Sequence, residues 1–364
     1  MSKLDEARKQ INEIDQQMAN LFAARMKAVE LVAAHKKEHG LPILDTAREE
    51  EVIRKNAQYM KDEALKSYYV NFLKYNMSLS RSYQHRLLEG MLVAYSGVPG
   101  AFADIAAQKI FPDGSSVPYK DFKAAYEAVV NGECDCAVLP IENSYQGDVS
   151  QVMDLAFFGS LSINGIYDME IVQNLVGVDG ASVRDVKEVI SHPQALGQCA
   201  DYIRDHDFLA HEATNTAVSA RKVAEEGRKE LAAIASAETA ALYGLKVLDK
   251  SINASSINTT RFAVFSRYAN RNPQRDNYFV LNFTVKNEAG GLGKAVSAIG
   301  DAGFNLRALK SRPSKELIWE YYFFAEGEGN INSPEGEGML EELKKHCSQV
   351  KIVGAFEKEQ KLER

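Results

Sequence analysis

Through the first ninety residues, apolar positions recur at spacings of three and four. Leu4, Ile11, Ile14, Met18, Leu21, Val29 and Val32 fall along one stripe of a helix spanning residues 2–39. Gly40 and Pro42 end it. A second helix starts at LDTAREEEVI, where Thr46 to Glu49 reads as a capping box. A third runs from about Asp62 to Leu88, and no strand pattern precedes Met91. A helix of ~38 residues is about 57 Å long. Its two neighbours are shorter and cannot cover it, so the pattern predicts pairing with the same helix of a second chain, in a dimer at least.

From MLVAYSG onward, short apolar runs alternate with helical stretches, as in CAVLPIEN before VSQVMDLAFF and KEVISH before PQALGQCADYIRDH. This texture predicts α/β structure with a largely parallel sheet, closing near Ser266. YANRNPQRDN is a polar linker. Residues 278–357 then read as strand YFVLNFTV, helix LGKAVSAIGDAG, strands FNLRALKS and LIWEYYFFAE, helix EGMLEELKKHC and strand VKIVGAFE. That βαββαβ order is the ferredoxin-like split motif. The final KEQKLER reads as a solvated tail.

The 364 residues suffice for two or three domains, and 45% hydrophobic with 26% charged residues is a soluble globular composition. A net charge of −7 argues against a nucleic-acid partner. The amino terminus lacks the apolar core of a signal peptide, and no run approaches the ~20 apolar residues of a membrane span, so a cytoplasmic location is expected. Cys134 and Cys136 form a C-x-C, but Cys199 and Cys347 supply no second pair; reduced thiols and no metal are the expectation.

Any anion site must therefore be locally cationic. Arg25 and Lys36 lie eleven residues apart, within about 20° on the helical wheel, on the flank that carries Leu21, Ala28, Val29 and Val32. Such cations either snorkel to water or meet an anion. Asp45, Arg48, Glu49, Ser80 and Gln84 are the other misplaced polar residues, and Arg8 points roughly 100° away from Arg25. Together these eight positions resemble the motif of the all-helical chorismate mutase family. The resemblance implies that Arg8 of a second copy and Arg25 clamp one substrate carboxylate, and Arg48 the other. Lys36 and Gln84 would donate to the ether oxygen, while Glu49 and Asp45 orient the ring hydroxyl, with Ser80 on the same face as Gln84. The implied conversion of chorismate to prephenate is pericyclic and requires positioning and charge stabilisation, with no cofactor.

In the α/β segment, YSGVPGAF, PIENSYQGDV, SHPQALGQC, ATNTA and NTTRF sit at strand-to-helix junctions, where open α/β sheets bind ligands. Turn chemistry alone accounts for Gly97, Pro99, Pro193 and Asn215, and His192 reads as structural. GVPG lacks a phosphate-loop lysine and the G-x-G-x-x-G spacing, which argues against a nucleotide. These stretches resemble the prephenate dehydratase family over residues 91–267, with Ala101 where that family carries a hydroxyl. The resemblance implies loss of carbon dioxide and water from prephenate to give phenylpyruvate. Thr260 would be the key hydrogen-bond donor and Glu142 a proton relay if burial raised its pKa. Arg261 would hold a substrate carboxylate, with Asn143, Ser144, Ser191, Gln198 and Thr216 donating around it.

The last segment, with Gly290-Gly291-Leu292 and Lys310-Ser311-Arg312-Pro313, resembles the ACT regulatory domain; Lys310 replaces that motif's glutamate. Phenylalanine binding at Gly290, Gly291, Leu292, Ser311, Arg312 and Pro313 is the implied role. The whole reads as a multidomain chain: an all-α bundle (1–89), an α/β two-lobed, periplasmic-binding-protein-like domain (91–267) and an α+β ferredoxin-like domain (278–357). The chemistry implied is that of a mutase fused to a dehydratase, with small molecules as ligands and no cofactor. A non-catalytic aromatic amino-acid sensor is the competing reading. Binding alone does not require Arg48, Glu49, Gln84 and Thr260.

Overall fold

The computed structural model describes residues 2–254, 258–269, 272, 274–286, 288–313 and 321–363. The chain divides into two compact units. One comprises Met1–Leu92 with the short stretches 113–115 and 131–135, and the other the remainder.

The first unit is built on α1 (Lys3–His39), α2 (Thr46–Ala57) and α3 (Glu63–Glu89). Ser2 and Asp5 form a reciprocal capping box at the start of α1, and Gly40, at φ 63°, closes it in the left-handed conformation. The cap of α2 falls one residue before the expected Thr46: Asp45 accepts a bond from the Arg48 amide at 3.0 Å. Within α1, Val29 and Ala33 are buried against the other helices, whereas Leu4, Ile11, Ile14, Met18 and Leu21 lie exposed. The apolar stripe is therefore only partly covered within one chain.

The second unit begins with β1 (Leu92–Ser96), α4 (Phe102–Ile110), β2 (Ser115–Tyr119), α5 (Phe122–Val130), β3 (Cys136–Asn143), β4 (Gly147–Asp148), α6 (Ser150–Phe158) and β5 (Ser162–Glu170). A second lobe follows: β6 (Asn174–Gly177), β7 (Glu188–Ser191), α7 (Pro193–Gln198), α8 (Ala200–Asp205), β8 (Leu209–Glu212), α9 (Thr216–Glu226), β9 (Leu231–Ala235), α10 (Ala237–Leu242) and β10 (Lys246–Asp249). The chain then returns to the first lobe as β11 (Thr259–Ser266), which lies between β3 and β5.

The sheets are mixed rather than largely parallel. β1 and β3 are parallel, as are β7 with β8 and β9, but β11 runs antiparallel to both β3 and β5, and β6 antiparallel to β9 and β10. A buried apolar run does not encode strand direction, and a strand returning from a second lobe enters from the opposite end.

The remaining elements are β12 (Tyr278–Val285), α11 (Gly291–Asp301), β13 (Asn305–Pro313), β14 (Tyr321–Glu328), α12 (Pro334–His346) and β15 (Cys347–Phe356). The strands pair in the order β13-β14-β12-β15, all antiparallel, the ferredoxin-like arrangement. Phe279, Leu281, Phe283, Ile299, Met339 and Leu343 form the core between this sheet and its helices. Residues 317–320 of the expected third strand lie outside the described residues.

α6 packs against the opposite face of that sheet. Phe157 stacks on Tyr322 at 3.9 Å between ring centres, and Lys351 donates to the carbonyls of Ala156 and Phe157 at 2.9 and 3.1 Å. A cation on the last carbonyls of a helix is favoured by the helix dipole. At Gly354 a Cβ would stand 2.0 Å from the Ile163 carbonyl oxygen, so β15 can approach β5 this closely only with glycine there.

The tail expected in solvent is instead a strand. β16 (Gln360–Lys361) pairs in parallel with Tyr167 and Asp168 of β5 and becomes the edge of the first-lobe sheet. Its side chains are polar because an edge strand can be held mainly by its backbone.

Candidate active sites

In the helical unit, Arg25 and Lys36 do line one cavity, of about 170 Å³, together with Val29, Val32, Asp45, Arg48, Glu49, Ser80 and Gln84. A helix turns an eleven-residue spacing into one face, and α3 presents Ser80 and Gln84 one turn apart toward it. Arg25 donates to the Ser80 hydroxyl, and Lys36 to the Ile43 carbonyl. Burial pulls the Arg25 guanidinium below its ordinary value. Gln84 is buried, its Nε2 donates to the Ser80 carbonyl at 3.2 Å, and its Oε1 has no partner. Such an atom is costly unless a ligand satisfies it.

Arg81 also lines the cavity and pairs with Glu49. Sequence spacing gives no sign of it, because the residue after Ser80 lies about 100° further around the helix. Arg48 lies at the rim, paired with Glu51 at 2.6 Å and largely exposed. Arg8 is exposed and does not line this cavity.

In the second unit a cleft of about 650 Å³ is lined by Ala101, Phe122, Asn143, Gln146, Ser150, Gln173, His192, Gln198, Thr216, Thr260 and Phe262, among others. Thr260 and Phe262 alternate toward it from β11. The Thr260 Oγ1 accepts from Asn143 Nδ2 at 2.9 Å, which leaves its own proton to be donated into the cleft. Asn143 is in turn fixed: its Oδ1 accepts from the amides of Tyr145 and Gln146, both at 3.0 Å, and its Nδ2 also reaches Asn258 Oδ1 at 2.9 Å. Asn258 donates to Gln198 Oε1 at 3.0 Å. Gln173 Oε1 and Gln198 Nε2 are buried without partners, so this amide chain offers the cleft one acceptor and one donor.

Gln173 and Asn258 extend the expected set. Asn258 opens the NTTRF stretch; nothing in the sequence pointed to Gln173. Thr216 opens α9 beside its cap Asn215, and His192 caps α7 by accepting from the Gln194 amide. Ala101 occupies the N-cap of α4 without a side-chain bond, so the departure removes a cap worth about 1 kcal/mol.

Four expected residues stand elsewhere. Ser191 is fully buried and donates to the Ile234 carbonyl at 2.7 Å, a tie between β7 and β9. Ser144, Glu142 and Arg261 line a different pocket, outside this cleft. Adjacent residues of a strand point to opposite faces, so Arg261 cannot share the cleft face with Thr260 and Phe262. It pairs with Glu142, Glu326 and Glu359 instead of awaiting a carboxylate. Burial raises the Glu142 carboxyl, but bonds from Lys310 and Arg261 outweigh it and hold the group below the usual carboxylate range. A proton relay would need the reverse.

Gly290, Gly291 and Leu292 form the start of α11, with Gly290 at φ 77°. Ser311 pairs with Phe323, and Arg312 is turned onto α6, bonding Asp154 at 3.2 Å and the Ser150 hydroxyl at 2.7 Å. Lys310 meets Glu142 and Asp148 at 2.8 and 2.6 Å. Cys134, Cys136, Cys199 and Cys347 are all buried and none is in a disulfide. No helix among the described residues is long and apolar enough to cross a membrane.

Comparisons with known proteins agree with this geometry. The family models for chorismate mutase type II and prephenate dehydratase match residues 7–85 and 93–270. The bifunctional chorismate mutase/prephenate dehydratase of Aquifex aeolicus is 29% identical over 98% of this chain and 99% of its own. Arogenate dehydratase/prephenate dehydratase 1 of Arabidopsis thaliana is 31% identical over 72% of this chain and 71% of its own. A prephenate dehydratase of Arthrobacter aurescens, solved in complex with L-Phe, superimposes with a TM-score of 0.67 at 25% identity, covering 74% of this chain and 90% of that one.

Bundle and cleft define a two-site enzyme, an isomerase joined to a lyase. The chain belongs to the bifunctional chorismate mutase/prephenate dehydratases of phenylalanine biosynthesis.

Proposed function

We propose that residues 1–89 rearrange chorismate to prephenate, that residues 91–267 convert prephenate to phenylpyruvate, and that residues 278–357 sense L-phenylalanine. In the bundle, Arg25 and Arg48 take the substrate carboxylates, Lys36 and Gln84 donate to the ether oxygen, and Asp45 and Glu49 orient the ring hydroxyl. Ser80 holds Arg25 in place. The reading is carried by the convergence on one small cavity of Arg25, Lys36 and the Gln84 amide, whose Nε2 keeps a second N–H beyond its bond to the Ser80 carbonyl. Such a set stabilises negative charge on an ether oxygen as the bond breaks.

Arg8 completes this site from a second copy. The exposed stripe from Leu4 to Leu21 supports that pairing, because apolar surface of this extent on one helix favours burial. Ile14→Glu combined with Leu21→Glu is expected to give monomers by light scattering and to lower mutase turnover at least tenfold. Monomers with unchanged mutase turnover would reject the role of Arg8, and an unchanged oligomer would reject pairing through this stripe.

In the cleft, Thr260 donates to the departing hydroxyl oxygen while Asn143 fixes its orientation, and Gln198 and Thr216 contact the substrate carboxylates. The ring carboxylate leaves as carbon dioxide, driven by aromatisation. Desolvation in the cleft assists that loss. The four buried thiols support a reducing, cytoplasmic setting.

L-Phe in the Arthrobacter aurescens relative supports the effector assignment. Effector at Gly290–Leu292 and Ser311 is linked to the cleft by Arg312, whose partner Ser150 is a cleft residue. Inhibition requires two states of different affinity. Arg312→Ala is expected to raise the phenylalanine concentration for half-inhibition of the dehydratase at least tenfold. An unchanged inhibition curve would remove Arg312 from the regulation.

A further inference from the structure

Arg261 sits one residue from Thr260, on the back of the sheet that carries the cleft. Its guanidinium bonds Glu142 of β3 at 3.0 Å and makes a two-pronged contact with Glu326 of β14 at 3.0 and 2.7 Å. Glu359, in the C-terminal tail, also accepts from it, and Asp168 of β5 stands 3.6 Å from the Arg261 Nε. The other oxygen of Glu359 accepts from Arg307 of β13 at 2.6 Å. One glutamate of the tail thus ties the strand bearing Thr260 to the strand bearing Ser311.

The tail is held along its length. Gln360 and Lys361 pair with β5, the Leu362 amide donates to the Asp168 carbonyl at 2.8 Å, and the Glu363 carbonyl accepts from Lys109 at 2.9 Å. Arg261 marks an irregular point in the sheet. Thr260 faces Asn143 and Arg261 faces Glu142, but Phe262 faces Pro140, so Ile141 is an extra residue in β3. A bulge of this kind re-aims side chains beside an active site, and it persists only where something pins the register. The Arg261–Glu142 pair lies on the bulge, and a guanidinium fork held from several sides fixes a position better than a single pair.

We propose that Glu359 is a positioning residue for the dehydratase, acting through Arg261 to hold the register that sets the Thr260–Asn143 bond. The dehydratase site is then completed by carboxylates that lie outside residues 91–267. Glu326 comes from the regulatory sheet and Glu359 from the last residues of the chain. The inference rests on Thr260 serving the dehydratase step, which the Thr260→Ala variant tests separately.

The experiment compares the full chain with Glu359→Gln, Glu359→Asp and a chain ending at Phe356. Dehydratase kcat is expected to fall at least tenfold in Glu359→Gln and in the shortened chain, with KM within twofold and mutase turnover unchanged. Glu359→Asp is expected to recover at least half of the lost rate. In the full chain the Leu362 amide is expected to be protected from hydrogen exchange, whether or not substrate turns over. Dehydratase kcat within twofold of the full chain for both the shortened chain and Glu359→Gln would overturn the proposal. So would a Leu362 amide that exchanges as a free peptide, or a loss of rate that Glu359→Asp does not recover, which would leave the tail a stability element only.

Discussion

Thr260→Ala is expected to lower phenylpyruvate formation from prephenate by about 10²–10³-fold, the cost of removing one oriented donor to a developing negative charge. The chemistry demands such a donor because hydroxide leaves poorly from the ring carbon without one. The structure supplies it with little freedom to be lost on binding. Asn143 donates to the Thr260 oxygen and is itself held by two backbone amides and Asn258. Thr260→Ser keeps the donor and is expected to retain far more activity than the alanine variant. Mutase turnover is expected to be unaffected in both, since Thr260 has no part in the helical cavity. Equal prephenate turnover in Thr260→Ala and the unmodified enzyme, measured as phenylpyruvate absorbance, would remove Thr260 from the mechanism.

Arg25→Ala is expected to lower chorismate mutase turnover by about 10³-fold, roughly 4 kcal/mol in the barrier. Arg25 is half-buried in the cavity and already bonded to Ser80, so its charge and direction are set before substrate arrives. Its removal also leaves the Ser80 hydroxyl without that donor. Arg25→Lys keeps the charge but not the planar fork and is expected to recover only part of the loss. Dehydratase turnover on added prephenate serves as the control and is expected to stay within twofold. A mutase rate within tenfold of the unmodified enzyme would place the anion elsewhere in the bundle.

The helical site was legible because a helix converts spacing directly into direction. Arithmetic placed Arg25 with Lys36 on one face of α1 and Ser80 with Gln84 on one face of α3, the resemblance to the mutase family brought the two faces together, and all four line one cavity. Where the reading missed, the reason is geometric. Arg261 and Glu142 were grouped with Thr260 and Asn143 through the motifs of the family resemblance, whereas strand alternation sends chain neighbours to opposite faces. That rule was available from NTTRF alone. The bulge at Ile141 was not, because an inserted residue depends on the pairing of two strands far apart in sequence.

Ser191 illustrates a different limit. A small hydroxyl at the end of a strand reads equally well as a ligand donor or as a tie to the neighbouring backbone, and only the position of β9 decides between them. The ferredoxin-like order of β12 to β15 emerged from periodicity, since each strand is a separate apolar run. The edge strand at Gln360–Lys361 did not, because its hydrophilic residues carry no period and its hydrogen bonds come from the backbone of β5. Arg312 and Lys310 were likewise legible as a motif, but not their anchoring on α6, Glu142 and Asp148.

The most direct measurement is a time course of chorismate, prephenate and phenylpyruvate with the purified chain, repeated with added phenylalanine. The account predicts that chorismate is consumed, that phenylpyruvate forms, and that phenylalanine slows the second step. Prephenate accumulating without phenylpyruvate, or no turnover of either substrate, would contradict it.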